Sequence, residues 1–341
     1  MRERVPEVFA GRPQVRAIEA FTDEVWRVET EDGRKVVVKQ QLFGFLTRGK
    51  PYDLLEVERE VLGLLHGAGC PVPEVLGVDG DAQCIFLEWV GDQTLDAAIQ
   101  TGDGASTRWA IEGLCAIERV LAEHAERLSS RVVPGAGCDE LAAAWDEVGT
   151  RAGEGLERLS RHFERPFDAA GMLPLLAEMH RWLAGRLPVL GSTDYNAHNA
   201  VVDSAGTKVR FLEFAKIGWD WTERRLVQYT TSVGSGREDG RMRSFLDADA
   251  ARCYAEISGR ANGAQALDYH HTFFLLNGAA MLCTALDGAP RAAALLARWK
   301  KPRERLRQFA TLLGRGLSAD LVAVEFRDRL QASLTSNGDR P

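Results

Sequence analysis

Asp194 and Asn199 stand five positions apart in STDYNAHNAVV, residues 192–202, directly ahead of a short β-branched run. A carboxylate and an amide held that close can accept a proton and offer hard oxygen ligands to a cation. The segment that follows, AVVDSAGTKVRFLEF (200–214), has a glycine-containing turn between two apolar runs, which predicts a hairpin. A hairpin returns the chain to its start, so Glu213 is expected beside Asn199 and Asp194. Two carboxylates and an amide in one place suit magnesium and a nearby proton acceptor. Phosphoryl transfer needs those parts, together with a lysine on the phosphates.

The lysine candidate is Lys39, at the end of KVVVK (35–39). Strand alternation puts Val37 and Lys39 on one face, so an apolar surface and an ammonium look into the same cleft. That pairing suits an adenine packed on Val37 with its phosphates near Lys39. In DLLEVEREVLGLL, apolar residues at 54, 55, 57, 61, 62, 64 and 65 form a helical stripe centred close to Glu58. A carboxylate in the middle of an apolar stripe is costly unless paired, and Lys39 is its natural partner.

The elements that must position these groups divide the chain in two. VRAIEAF (15–21), EVWRVET (24–30) and KVVVK read as strands, with Asp32-Gly33 as a hairpin turn. A helix is expected over 52–66 and another strand at CIFLEWV (84–90). Beyond Gly91, Ala/Leu/Glu/Arg-rich segments at 106–128, 139–164, 168–186, 245–257, 266–286 and 290–317 predict helices, with 200–214 as the one β-like island. The expectation is an α+β chain: a small β-rich lobe over 1–90, a large, mainly helical lobe over 91–332, and a disordered tail at 333–341.

Composition narrows the partners. With 42 basic and 49 acidic residues among 341, the formal charge of −7 gives no electrostatic footprint for nucleic acid. Six cysteines with no CxxC pair form neither a disulfide framework nor a zinc knuckle, which favours the cytoplasm. The N-terminus lacks an apolar signal-peptide core, and FFLLNGAAMLCTAL (273–286) is too short to span a bilayer, so no membrane association is expected. GFLTRGK (44–50) has the spacing of a phosphate-binding loop, but Pro51 occupies the hydroxyl position; a basic loop before a helix starting near Pro51 is expected instead. His198 is expected at the surface, His270-His271 lack a third metal ligand, and Trp182, Trp219 and Trp221 are expected to pack in the helical lobe.

The segments GRKVVVKQ, EREVLGLLHGAGCPVPEVLG, CIFLEWVGDQTL and the Asp194–Asn199 loop with FLEFAKIGW are similar to those of the aminoglycoside phosphotransferase and choline kinase-like family. They run over about 15–95 and 187–230. The resemblance implies a protein-kinase-like bilobal fold, ATP and Mg2+ as cofactors, and a small-molecule or peptide hydroxyl as acceptor. It also implies a Lys39–Glu58 ion pair and a hinge at Glu88 to Val90 that meets adenine. Asp194 would be the catalytic base, with Asn199 and Glu213 on the metal.

Four departures bear on activity. Ser192-Thr193 precede Asp194 where the family has His-Gly, and Glu213 stands in place of a metal-binding Asp. The loop in EAFTDEVWRV has no glycine and carries Asp23 and Glu24, and Arg225 replaces a common Asp. Lys216, just past Glu213, is a candidate replacement cation. Two functions are compatible with these residues. One is an ATP/Mg-dependent phosphotransferase acting on a hydroxyl of a small molecule, or on a peptide Ser/Thr in natural-product biosynthesis. The other is a catalytically degenerate pseudokinase that binds a peptide, a ligand or a protein partner.

Overall fold

The computed structural model describes residues 7, 13–162, 167–234, 241–289 and 301–334. Strands β1 (Val15–Ala20), β2 (Val25–Thr30), β3 (Lys35–Gln40), β4 (Val75–Asp79) and β5 (Cys84–Glu88) form one antiparallel sheet in the order β1-β2-β3-β5-β4. Register Val37↔Leu87 and Lys39↔Ile85 sets β3 against β5 in the middle of it. Alternation along β3 then decides the packing. Val36 and Val38 turn to one face, where they bury with Val28, Cys84 and Phe86.

The opposite face meets α2 (Leu54–Gly67), whose Val57, Val61 and Leu65 join Ile85 and Leu87 in the larger core. Asp53 caps that helix through Leu55 N–H (3.1 Å) and Glu56 N–H (3.4 Å), so the helix starts after the cap rather than near Pro51. The stretch before it holds only a single helical turn, α1 (Gly44–Thr47).

After β5 the chain is mainly helical: α3 (Leu95–Thr101), α4 (Ala105–Glu123), α5 (Ala125–Leu128), α6 (Cys138–Arg161), α7 (Ala169–Ala184) and α8 (Thr222–Tyr229). They are followed by α9 (Ala248–Ser258), α10 (Gly263–Leu286), α11 (Pro302–Leu313) and α12 (Leu321–Leu334). α10 is apolar on nearly every side and sits at the centre, packed by α6, α8, α9 and α11. Gly155 on α6 comes so close that a Cβ there would lie 2.2 Å from the Leu276 carbonyl oxygen. Trp221 is buried and Trp182 meets Tyr269 edge-on at 5.3 Å, both in this helical core as expected.

Three features correct the sequence expectation. The hairpin β8 (Ala200–Val202) and β9 (Val209–Phe211) is not the only β structure past Gly91. It is extended by β6 (Gln93–Thr94), while β7 (Val189–Ser192) pairs with β10 (Ile217–Asp220) and β11 (Thr231–Ser232) with β12 (Arg243–Ser244). Strands of two to four residues are too short to show a period. Helices α3, α8 and α12 lie outside the expected helical segments, the first two being likewise short. Finally, α12 runs through Leu334, so Ser333 and Leu334 are helical; residues 335–341 and 290–300 lie outside the described part. Among the described residues, no helix is long and apolar enough to cross a membrane.

Candidate active site

Val37, Lys39, Glu58, Glu88, Val90, Asp194, Asn199 and Glu213 all line one cleft of about 780 Å³ between the sheet and the helical part. β3 delivers Lys39 to it and α2 delivers Glu58. The loop between β7 and β8 delivers Asp194 and Asn199, and the end of β9 delivers Glu213.

Lys39 Nζ lies 2.8 Å from Glu58 Oε1 and 2.6 Å from Glu213 Oε2. The remaining Glu58 oxygen accepts from Gln41 Nε2. Both Lys39 and Glu58 are buried, so each charge exists only because the other does. Burial alone would lower the Lys39 pKa, but the Glu58 and Glu213 carboxylates outweigh it and hold the ammonium above the ordinary lysine range. Burial pushes the Glu58 carboxyl up, and Lys39 offsets this in part.

Glu213 adopts φ +65°, a left-handed backbone that a non-glycine residue holds at a cost of roughly 1–3 kcal/mol. Two hydrogen bonds secure it. Ser192 Oγ donates to the Glu213 carbonyl at 2.6 Å, and the neighbouring Leu212 N–H donates to the Asn199 carbonyl at 2.9 Å. The same Ser192 Oγ accepts from the Asp194 N–H at 3.1 Å. Ser192 therefore bridges the loop and the Glu213 backbone.

Asn199 Nδ2 donates to the Asp194 carbonyl (2.8 Å) and to Asp194 Oδ1 (3.0 Å), and Asn196 Nδ2 also reaches Oδ1 (3.2 Å). One carboxylate oxygen of Asp194 is thereby fixed, and Oδ2 has no hydrogen-bond partner among the described residues.

Arg225 supports the loop from the strands beneath it. Its side chain is buried, and its fork donates to the carbonyls of Ser192 (3.0 Å), Gly218 (2.9 Å) and Val189 (3.2 Å). It also pairs with Glu118 Oε1 on α4 at 2.9 Å. One guanidinium thus ties β7, β10 and α4 together beneath Asp194. Gly191 is needed there, because a Cβ would stand 2.6 Å from the guanidinium carbon. Glu118 is not among the residues the sequence points to. The same signal marks it as marks Glu58: it lies among Ile111, Leu114, Ile117 and Leu121 on the buried stripe of its helix.

At the hinge, the Glu88 side chain turns away to accept from the Glu74 N–H (3.2 Å), and the Val90 carbonyl accepts from Ser204 N–H (3.1 Å). The Val90 N–H makes no hydrogen bond among the described residues, so it is a donor left open at the cleft wall. The glycine-free turn between β1 and β2 is held by other means. Phe21 stacks on Trp89 with ring centroids 5.7 Å apart, and Arg27 covers both rings while pairing with Asp92 at 3.0 Å. Lys216 is exposed and lines the cleft, as does Glu24. His198 is a surface residue, 3.9 Å from Asp96, and His270 and His271 are buried in α10.

The donor set can be tested against a hard divalent cation. Among the described residues no group of three or more His, Cys, Asp or Glu could hold a metal by itself. Asn199 Oδ1 and Glu213 Oε1, however, have no hydrogen-bond partner among the described residues, and both belong to cleft-lining side chains. Two oxygen donors that leave most of the coordination shell open fit Mg2+ completed by phosphate oxygens and water. The cleft also carries more carboxylates than lysines, so a triphosphate entering it requires cation neutralisation.

No family model and no curated protein matches the chain. Solved structures do. An aminoglycoside phosphotransferase from Alicyclobacillus acidocaldarius is similar over 93% of this chain and 93% of its own, with TM-score 0.53 and 10% identity. The macrolide 2'-phosphotransferase MphH from Brachybacterium faecium is similar over 85% and 95%, with TM-score 0.50 and 15% identity. The GDP complex of an aminoglycoside 2'-phosphotransferase-IIIa is similar over 87% and 93%, with TM-score 0.50 and 12% identity. The chain has the protein-kinase-like α+β fold of these phosphotransferases.

Proposed function

We propose that this chain is a phosphotransferase that moves the γ-phosphoryl group of ATP to a hydroxyl of a small molecule, with Asp194 as the base. The observation that carries the proposal is the convergence of Lys39, Glu58, Asp194, Asn199 and Glu213 on one cleft from four separate parts of the chain. Adenine would lie on Val37 and Leu87, with the open Val90 N–H as its polar anchor. Lys39, oriented by Glu58, would meet the phosphates. Asn199 and Glu213 would hold Mg2+, which when bound neutralises charge on the phosphates. In the transfer, the bond from the γ-phosphorus to the bridging oxygen breaks and a bond to the acceptor oxygen forms. The acceptor proton passes to Asp194, whose Oδ2 is the open oxygen. The named solved structures comprise aminoglycoside and macrolide phosphotransferases, and we extend from them only the class of reaction and a small-molecule acceptor.

A second reading, a pseudokinase that binds nucleotide or partner without turnover, draws on one observation. Glu213 reaches Lys39 directly, a contact that phosphates would have to displace. The experiment that separates the two is release of labelled phosphate from [γ-32P]ATP by the full chain with magnesium. Turnover that disappears in Asp194→Asn supports the phosphotransferase; turnover that persists in Asp194→Asn, or none in either protein, removes Asp194 as a base.

A further inference from the structure

Between α6, α8, α10 and α11 lies a second cavity, of about 610 Å³, that shares no lining residue with the nucleotide cleft. Its walls are largely apolar, with Trp145, Val148, Phe273, Phe274, Met281 and Phe309 among them. Trp145 is buried and immobilised, stacked on His180 at 5.1 Å and edge-on to Trp221 at 5.0 Å. Aromatic packing alone would explain such walls. It does not explain the polar atoms.

His270 lines this cavity at 2% exposure, and among the described residues neither Nδ1 nor Nε2 has a hydrogen-bond partner. Asn277 lies seven residues further along α10, on the same face. Its Nδ2 donates to the carbonyls of Phe273 (2.8 Å) and Val148 (3.2 Å), which fixes the amide and leaves Oδ1 buried with no partner among the described residues. Buried polar groups are almost always satisfied, so three orphaned atoms at one cavity call for an occupant.

Burial, reinforced by Arg224 and Arg186, holds His270 well below the ordinary histidine range, so the ring is neutral. A neutral imidazole presents one donor and one acceptor, and Asn277 adds a second acceptor. Of the charged groups at the rim, Arg224 pairs with Asp220 at 3.1 Å and Glu154 lies 3.8 Å from Arg158, while Arg151 is exposed to solvent with no ion pair among the described residues. Among the described residues, the cavity therefore offers no carboxylate free to bind an amine-rich cation.

We propose that this cavity binds an uncharged, ring-bearing alcohol whose hydroxyl groups complete the hydrogen bonding of His270 and Asn277. Occupancy would be sensed at the catalytic loop. Arg224 pairs with Asp220, Asp220 accepts from the Tyr195 hydroxyl, and Tyr195 follows Asp194. The site stands on its own geometry and does not depend on phosphoryl transfer in the cleft.

The test uses 2-naphthol and naphthalene as probes, followed by quenching of tryptophan fluorescence in the full chain. One hydrogen bond to a buried partner predicts saturable binding of 2-naphthol about 5- to 30-fold tighter than naphthalene. His270→Phe should bring the two within about twofold while leaving Tm unchanged or higher, because it removes the orphaned nitrogens. Val148→Trp, which fills the cavity, should weaken both probes by about tenfold or more. ATP with magnesium should leave 2-naphthol bound. Equal affinities in the wild type, an unchanged preference in His270→Phe, or displacement of 2-naphthol by ATP would each overturn the proposal. If Val148→Trp fails to fold, the preference in His270→Phe still decides. Among outcomes that support the site, label passing from [γ-32P]ATP to bound 2-naphthol makes the ligand an acceptor. Altered ATP turnover without such label makes it an effector.

Discussion

Replacing Arg225 by methionine removes a guanidinium that serves four backbone carbonyls and one buried carboxylate at once. Methionine keeps much of the volume, so the loss is mainly electrostatic. Glu118, buried on α4, would be left without its strongest partner, although Thr222 Oγ1 still donates to it. Burial already pushes the Glu118 carboxyl up against the opposing effect of Arg225, so the residue would protonate or destabilise the fold. Breaking a buried pair in this way costs about 3–5 kcal/mol. With an unfolding entropy of about 0.7 kcal/mol/K for 341 residues, a 4 kcal/mol loss lowers Tm by about 6 °C. Activity should suffer as well, because a loop displaced by about 1 Å loses roughly 100-fold in kcat. Arg225→Lys restores a charge for Glu118 but not the fork, so it should recover part of the stability and little of the kcat. Removing both partners in Arg225→Met/Glu118→Leu should cost less than the sum of the single changes by about 2 kcal/mol. Calorimetry and steady-state kinetics read both quantities. An Arg225→Met protein with Tm within about 1 °C of wild type and unchanged kcat would refute the assignment of loop support to this residue.

Three further outcomes follow from the same geometry. Ser192→Ala deletes the bridge between the Asp194 N–H and the Glu213 carbonyl, so it should lose about 1–2 kcal/mol in denaturant melts and about tenfold in kcat. Glu213→Asp withdraws the carboxylate from Lys39 by about 1.5 Å while keeping both carboxylate oxygens for the proposed Mg2+. It should stay within about tenfold of wild-type kcat, whereas Glu213→Ala should fall by about 100-fold, measured at saturating magnesium. Burial depresses His270 and His271 below 6.5, the latter to about 3, so the unfolded chain binds more protons than the folded one as pH drops below 6.5. Their contribution is complete above pH 6.5 and is lost on acidification towards pH 3, at up to about 2.7 kcal/mol per pH unit; urea melts of a double His→Phe variant should show a flatter profile.

What the sequence made legible was whatever it states through period and charge. Strand alternation put Val37 and Lys39 on one face, and the cleft receives both. The helical stripe put a carboxylate inward at Glu58, and Lys39 meets it at 2.8 Å. The hairpin argument brought Glu213 home to Asn199, and the Leu212 N–H to Asn199 carbonyl bond closes that return. What stayed hidden was long-range or two to four residues long. The 2.6 Å contact between Glu213 and Lys39 joins residues 174 positions apart in the chain. Arg225 reads as an unexplained exchange until β7 and β10 are seen to present four carbonyls to it. The Phe21–Trp89 stack replaces a glycine loop with side-chain packing that no spacing rule reveals.

The central claim is that this cleft takes a nucleoside triphosphate through Lys39 and needs a divalent cation to do so. The most direct test is a thermal titration of the full chain with ATP, with and without Mg2+, in wild type and Lys39→Met. Stabilisation at 100 times Kd should amount to about 2.7 kcal/mol for wild type with magnesium, equivalent to about 4 °C. It should be nearly absent without the cation and strongly reduced in Lys39→Met. A wild-type Tm that does not respond to millimolar ATP and magnesium, or a response that Lys39→Met retains in full, would contradict the account.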